Sequence, residues 1–337
     1  MRQRSHLTMT PRSQRGMTLI EVMIGMLIGM LILGGVLFAF LSSRQTYWYN
    51  DAVQRLQENG RIAIDIMVND LHSSGFAGCR RLTNLDSDIR GRALLPADVQ
   101  TAVGNDSITR PFVYAGVGAV ANTDSFSVLG GGEPIPVSAA MASTSANITL
   151  DGAFAPLGNR LAVNNLALIT DCQQADVFTV TGLGATTVSH AAFERTYNVG
   201  SILIPQFGTW INYYVRETPR VNQAGQPVRA LYRQFGGNAA QELIEGVERM
   251  HIRYGIGDGE GFGPVQSYVA AAAVPDWRRV VSIRVQLLIA TPENNVLTEI
   301  QPAIPFGDEG AADDFVPADR RFYQVFSTSI ALRNRIK

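Results

Sequence analysis

The hydrophobic pattern of the first 75 residues predicts one very long helix. Residues 22–41 form a run of 20 residues without a charged side chain. A helix of that length spans about 30 Å, the thickness of the hydrocarbon core of a bilayer. Beyond it, apolar residues recur every three or four positions, which indicates an amphipathic helix with one face toward a domain. These positions are Val53, Leu56, Gly60, Ala63, Met67 and Leu71. We expect the helix to end at Ser73, Ser74 and Gly75.

The remainder of the chain has the patterns of β-strands. Apolar and polar residues alternate after residue 200, which is typical of an antiparallel sheet with one face against a core. The predicted strands are 112–117, 125–129, 148–150, 161–169, 177–181, 210–215, 250–256, 281–289 and 326–332, and the predicted loops are 138–147, 257–265 and 294–317. We therefore expect an α+β fold in which a long N-terminal helix, first transmembrane and then amphipathic, packs on an antiparallel β-sheet.

The charge distribution places the two ends of the helix on opposite sides of a membrane. Residues 1–16 contain four arginines and no acid, although the net charge of the chain is −1. The remainder has 24 basic against 29 acidic residues. A basic segment before an apolar run stays on the cytoplasmic side of a bilayer. The near-neutral total gives no reason to expect nucleic acid as a partner.

The order of residues around Gly16 predicts processing before the apolar run. An ordinary secretory signal has a cleavage site of small residues after its apolar region, whereas here Phe38 and Phe40 are bulky. A cut between Gly16 and Met17 would remove the basic tip and keep the helix. The acid Glu21 costs a few kcal/mol at the edge of hydrocarbon unless it is paired. Either the helix dipole and headgroups tolerate it, or the new amine at Met17 pairs with Glu21 of a neighbouring subunit.

The run from Gly16 to Glu21, which reads Gly-Met-Thr-Leu-Ile-Glu, resembles the prepilin signature. The resemblance implies that a prepilin peptidase cuts after Gly16 and methylates the amine of Met17. It also implies that Glu21 acts in assembly. The departure from the signature is Met17, where phenylalanine is the commonest residue.

Further runs of residues are similar to the PilW-type minor pilins. They are 75–79, 171–172, 175–178, 245–248 and 326–334. The resemblance implies a type IV pilin-like fold and a low-abundance subunit that primes pilus assembly near the filament tip, with roles in adhesion and twitching motility. Its partners would be the other minor pilins, the major pilin and the inner membrane, which the chain crosses once with a cytoplasmic N-terminus and a periplasmic domain.

The two cysteines, Cys79 and Cys172, stand far apart in the chain. With no Cys-x-x-Cys pair and no Cys/His cluster in the sequence, a zinc site is not expected. In an oxidising compartment two such cysteines predict one disulfide, and the alternative is a pair of buried free thiols. The resemblance implies a bond between the end of the helix and the middle of the domain.

Four regions follow from these patterns. They are a basic leader (1–16), a transmembrane and filament-core helix (17–41), an amphipathic continuation (42–75) and a β-rich periplasmic domain (76–337). The best-supported function is that of a minor pilin. The alternatives are a pseudopilin of a type II secretion system and a membrane-anchored adhesin or binding protein that never polymerises.

No pattern of residues predicts an enzyme, and we expect no cofactor. His72, His190 and His251 are isolated in the sequence, and no hydrolase, zinc-protease or phosphate-binding motif occurs. Two acidic or glycine-rich loops are candidates for Ca²⁺, but neither has the ligand spacing of an EF-hand, and solvated loops are the simpler interpretation. Their residues are 257–261 and the group Asp308, Glu309, Asp313 and Asp314.

Overall fold

The computed structural model describes residues 17–78, 80–81, 89–104, 108–152, 161–258, 264–308 and 314–333. The chain divides into two compact units, one up to Asp51 and one from Ala52 onward. Within the described part of the first unit, the chain is helical from Leu19. The second unit contains the rest of that helix, a shorter helix and all the strands that the structure describes.

Helix α1 (Leu19–Ser73) has 55 residues and no interruption. Its buried residues are Leu56, Gly60, Ala63, Met67 and Leu71. They confirm the predicted apolar face, except that Val53 is only half-buried. The helix ends where predicted, because Ser74 Oγ donates a hydrogen bond of 2.7 Å to the Leu71 carbonyl and Gly75 has a φ of 65°. A second helix, α2 (Ala97–Gly104), was not predicted.

The strands lie in four sheets among the described residues. In chain order they are β1 (Phe76–Ala77), β2 (Arg80–Arg81), β3 (Ile89–Arg90), β4 (Thr109–Pro111), β5 (Phe126–Gly130), β6 (Ile135–Ala139), β7 (Ile148–Leu150), β8 (Leu166–Thr170), β9 (Ala175–Thr179), β10 (Gly182–Leu183), β11 (Thr187–Ser189), β12 (Ile202–Pro205), β13 (Thr209–Val221), β14 (Pro227–Phe235), β15 (Gln241–Glu245), β16 (Val247–Ile256), β17 (Ser267–Val269), β18 (Val280–Ala290) and β19 (Tyr323–Ala331). The first two form a sheet of their own.

Two antiparallel sheets pack against the last turns of α1. Over the described residues, one has the strand order β15-β14-β13-β5-β4 and the other β17-β16-β18-β19. Met67 and Leu71 of the helix share one buried core with Phe126, Tyr254 and Val285 of these sheets. The α+β class, with a long helix against antiparallel sheets, is confirmed.

The middle of the chain forms a third large sheet with its own core. Its order is β10-β11-β7-β6-β12-β8-β9-β3 in the described part of the chain. It is mixed, because β3 pairs with β9 in parallel. Ile148, Val188 and Tyr197 are fully buried in the core beneath it. This separate core explains why the chain is long for a domain built on one helix.

Two predicted strands are wrong in part or in full. The prediction of 112–117 fails because β4 ends at Pro111 and the chain then turns at Gly118, which has a φ of 79°. The strand predicted at 161–169 begins only at Leu166, because a turn with Asn164 at a φ of 71° precedes it. The other predicted strands are present with ends shifted by a few residues, and β13 runs six residues past the predicted end, to Val221.

Candidate functional site

The start of helix α1 holds two of the predicted processing and assembly residues. Thr18 precedes the first helical residue, and its Oγ1 accepts a hydrogen bond of 3.4 Å from the Glu21 backbone N–H. Thr-x-x-Glu is the sequence of a capping box, and a carboxylate in the first turn is favoured by the helix dipole. The sequence analysis considered the helix dipole at Glu21 but did not predict the cap that Thr18 provides. Met17 is 73% exposed just before the cap.

Gly16, the predicted cleavage residue, lies outside the described residues. Cleavage after Gly16 and methylation of Met17 therefore remain predictions from the sequence. The geometry at Thr18 adds that a chain beginning at Met17 would expose its amine immediately before the helix cap.

The apolar segment of α1 has no partner within the described part of the chain. None of its most apolar stretch is buried, and by length and composition the helix is able to cross a membrane. A Cβ atom added at Gly25 or at Gly29 would meet no atom within 4 Å, and small residues at this spacing let helices approach closely in lipid. An apolar surface of this size requires lipid or neighbouring helices around it.

Aromatic and basic side chains follow the apolar segment. Tyr47 is 71% exposed and Trp48 is 58% exposed. The Arg44 guanidinium lies 5.6 Å from the centroid of the Trp48 ring. Tyr and Trp concentrate at the membrane–water interface, and arginine beside them binds headgroup phosphates. These residues fit the predicted end of the membrane-spanning segment.

The last turns of α1 are fixed to the sheets by one charged pair and one close approach. Asp70 accepts hydrogen bonds from Arg233 on β14 and from Tyr213 on β13. At Gly60, a Cβ atom would overlap the ring of Phe326 on β19. Neither contact was predicted, because each joins residues far apart in the chain.

Cys172 lies at the tip of the hairpin between β8 and β9. Its backbone N–H donates to Thr170 Oγ1 at 3.2 Å, and Asp171 accepts from the N–H groups of Gln173 and Gln174. These bonds hold Cys172 at a φ of 72°. Gly78 packs so closely on Thr170 that a Cβ at Gly78 would overlap its methyl group.

The other predicted disulfide residue, Cys79, lies outside the described residues. Its neighbour Gly78 nevertheless lies beside the hairpin of Cys172, and the described residues include no free cysteine. The bond between Cys79 and Cys172 stays a prediction from the sequence.

The three histidines among the described residues have different surroundings. His190 contacts the carbonyls of Ala146 and Ala191 and stacks on Phe193 with ring centroids 3.8 Å apart. His72, near the end of α1, is half-buried, and burial together with the positive charge of Arg333 lowers the pKa of its imidazole.

His251 is less isolated than its sequence suggests. Its ring nitrogens lie 3.6 Å from Asp124 and 3.5 Å from Asp308. Arg253 also binds Asp308, and this contact lowers the pKa of the carboxyl. His251 and Arg253 of β16 thus lie beside the two acids Asp124 and Asp308.

The candidate Ca²⁺ loops are described only in part. Glu309, Asp313 and residues 259–263 fall outside the described residues, while Asp308 is occupied by Arg253. Across the ranges that the structure covers, no three His, Cys, Asp or Glu side chains are grouped to hold a metal ion.

Comparisons with known proteins match both ends of the chain. Residues 212–334, which run from β13 through β19, match the family described as Type IV Pilus-assembly protein W. Residues 11–37 match the prokaryotic N-terminal methylation motif. No curated protein and no solved structure matches the chain. The C-terminal part of the chain thus matches a PilW-type pilin, and its N-terminus matches a prepilin-type signature.

Proposed function

We propose that this chain is a minor pilin that helps to initiate type IV pilus assembly, and that it acts near the filament tip. The observation that carries the proposal is the apolar helix, which starts just after the predicted cleavage point and has none of its most apolar stretch buried by the described residues. Such a helix is suited first to a bilayer and then to the core of a filament, where neighbouring helices replace the lipid. The two family matches support the assignment to the pilus.

In this proposal, prepilin peptidase cuts after Gly16 and methylates the amine of Met17. The amine then carries a positive charge at the edge of the apolar segment, about one helical turn from Glu21. Glu21 is exposed, and its backbone N–H binds Thr18, so its carboxylate is available to a neighbouring chain. Pairing the two charges offsets the cost of placing each of them near hydrocarbon.

The basic leader sets the orientation that we propose. The four arginines of residues 1–16 remain in the cytoplasm, and the domain lies in the periplasm. The helix crosses the inner membrane once. The periplasm is oxidising, which allows the bond between Cys79 and Cys172. The proposed partners are prepilin peptidase, the other minor pilins and the major pilin.

Mass spectrometry of the mature N-terminus tests the processing step. We expect a chain that begins with N-methylated Met17. A Gly16→Asp variant should keep Met1 and the leader, because it changes the residue before the cut and leaves the apolar helix intact. An unprocessed wild-type chain, or a cut beyond Phe40, would contradict the proposal.

Substitution of Glu21 tests assembly separately from anchoring. We expect Glu21→Ala to reach the membrane at the wild-type level and to be lost from sheared pili. The matched control is Glu58→Ala, which removes an exposed glutamate of the same helix beyond the apolar segment. A membrane-anchored adhesin that never polymerises would function equally well in both variants. If the wild-type chain is found in the filament of a type II secretion system and not in sheared pili, that result would favour the pseudopilin alternative.

A further inference from the structure

Strand β19 is an edge strand of unusual length in this protein. In the three larger sheets, the edges among the described residues are β3 and β10 with two residues each, β4 and β17 with three, β15 with five and β19 with nine. Among these edges, β15 carries Glu242 and Glu245, and β4 carries Arg110 and Pro111. Short strands, charges and prolines are the usual means of preventing an edge from pairing with another chain. None of them is present in β19, which reads Tyr-Gln-Val-Phe-Ser-Thr-Ser-Ile-Ala.

The backbone of β19 offers hydrogen-bonding groups along its outer side. Tyr323 exchanges two hydrogen bonds with the Gln301 side chain, at 2.6 and 3.2 Å, so its backbone points away from β18. The backbone N–H of Leu332 donates to the Val281 carbonyl, so the backbone of Leu332 points toward β18. Tyr323 and Leu332 are an odd number of residues apart, which agrees with their opposite directions. Alternation along an antiparallel strand then directs the N–H and C=O groups of Val325, Ser327, Ser329 and Ala331 outward. No hydrogen bond to these backbone groups occurs among the residues that the structure covers.

The side chains leave this edge accessible. Ser327, Ser329 and Ala331 are exposed and small. Gln301 occupies the start of the edge, at Tyr323, and so limits the accessible part to the last seven residues of the strand. The free stretch therefore has room for an added strand of about the usual length for a globular protein.

We propose that β19 accepts an extended segment of a neighbouring pilus subunit by strand addition, a proposal that rests on the proposed function. The backbone groups require an extended polypeptide as the occupant. The nearest charged side chains favour acidic residues in it. Arg284 Nε donates to Ser329 Oγ at 3.3 Å, and Arg333 is exposed just beyond the strand. An acidic side chain opposite Ser329 would reach Arg284.

Charge disfavours a second copy of this chain as the occupant. Suppose that the β19 strands of two copies pair in antiparallel fashion, with Thr328 opposite Thr328. Arg333 of one copy would then lie opposite Tyr323 of the other copy and close to the exposed Arg320 of that other copy. The same meeting of like charges would occur at both ends of the pair. Since Arg320 is bound to the neutral side chain of Asn295, its charge is not neutralised there.

Hydrogen–deuterium exchange tests the proposal on the full-length protein in detergent. The free protein is compared with the complex purified after co-expression with the other prepilin-type proteins of the same cell. In the free protein we expect the outward amides of Val325, Ser327, Ser329 and Ala331 to exchange quickly. In the complex they should exchange at least about tenfold more slowly, because each then donates a hydrogen bond.

A matched pair of variants changes only the outward edge. Ser327→Pro removes an amide that bonds nothing within the described part of the chain, whereas Ser327→Ala keeps it. We expect the proline variant to bind its partners roughly tenfold more weakly and the alanine variant to bind as the wild type does. Ser327→Glu adds a charge to the edge that also repels an acidic occupant, and it should weaken binding even if the proline variant does not fold.

The possible results separate this proposal from the function on which it rests. A complex in which the outward amides exchange as fast as in the free protein would overturn the strand addition alone. Equal binding by the alanine and glutamate variants would do the same. Protection in the free protein together with the mass of a dimer would replace the proposed occupant by a second copy. A wild-type chain that forms no complex with these proteins would overturn both proposals.

Discussion

Arg233 Nη2 on strand β14 donates a hydrogen bond of 2.6 Å to the Asp70 carboxylate near the end of helix α1. The two side chains are only 15% and 13% exposed. Tyr213 on β13 donates to the other oxygen of Asp70, and burial together with the charge of Asp70 raises the pKa of the tyrosine well above its usual range. The last turn of the helix is thus fixed to the five-stranded sheet by charged hydrogen bonds as well as by apolar packing.

Replacing Asp70 or Arg233 should lower the free energy of unfolding far more than replacing an exposed charged residue nearby. Arg233→Met takes a hydrogen-bonded positive charge away from the mostly buried Asp70 carboxylate, and we expect a loss on the order of 3 kcal/mol in the free energy of unfolding. Asp70→Asn should also destabilise, and the double variant should lose less than the sum of the two. Urea unfolding of the full chain in micelles, followed by tryptophan fluorescence, measures these values.

Asp65→Asn is the control for this cycle. Asp65 lies on the same helical segment but is exposed, so its replacement should change the free energy of unfolding by no more than about 0.5 kcal/mol. Strict additivity of the Asp70 and Arg233 substitutions would show that the two side chains do not stabilise each other.

The contact between Gly60 and Phe326 predicts that Gly60→Ala changes the stability of the protein in opposite directions, depending on the residue at position 326. In the wild type, Gly60→Ala should destabilise the protein, because the new methyl group overlaps the Phe326 ring. In a Phe326→Leu background the overlap is removed, and the same substitution should stabilise by up to about 1 kcal/mol through helix propensity. Thermal unfolding of the four proteins measures both effects. Stabilisation by Gly60→Ala in both backgrounds would mean that the ring moves aside at little cost.

The sequence predicted α1 well because the evidence for it is local. The period of its apolar face and the Ser-Ser-Gly stop lie within the segment itself, and the structure places Met67 and Leu71 in the core. Residues 112–117 failed for the opposite reason. Their apolar content favours a strand, but the turn at Gly118 and the packing of Tyr114 on Tyr214 decide the conformation.

The long-range contacts could not be predicted from one sequence. Asp70 and Arg233 are separated by 163 positions, and neither differs in type from exposed residues nearby. Strand order is equally invisible, since the pattern of β19 does not say whether it lies at the edge or in the middle of its sheet. The signature around Glu21 was recognised because its residues are consecutive, although Gly16 lies beyond the described residues.

His72 should make the stability of the domain depend on pH. Burial and the charge of Arg333 lower the pKa of its imidazole from the ordinary value of 6.5. The unfolded chain therefore binds the proton more strongly, and stability is lost as the pH falls through about 6.5 toward the lower pKa of the folded state. We expect His72→Gln to weaken this dependence between about pH 7.5 and about pH 5.5 in urea titrations.

The difference between the wild type and His72→Gln isolates this residue, because every other side chain is the same in both proteins. An Arg333→Gln variant removes the second cause of the lowered His72 pKa. In this variant the free energy of unfolding should therefore depend less steeply on pH than in the wild type. If the free energy of unfolding changes with pH by the same amount in the wild type and in His72→Gln, the imidazole has the same pKa in the folded and unfolded chains.

If Cys79 and Cys172 form the proposed bond, replacing either cysteine, replacing both or reducing the bond should destabilise the protein equally. It would close a loop of nearly 100 residues, for which chain entropy gives a stabilisation of about 4–5 kcal/mol. Cys79→Ser, Cys172→Ser, the double variant and the reduced wild type should then unfold at the same urea concentration, well below the oxidised wild type. Mass spectrometry of the unreduced digest identifies the bonded peptides. If the two single variants differ clearly from each other, or if reduction leaves the wild type unchanged, the cysteines contribute as separate buried thiols, as the alternative interpretation holds.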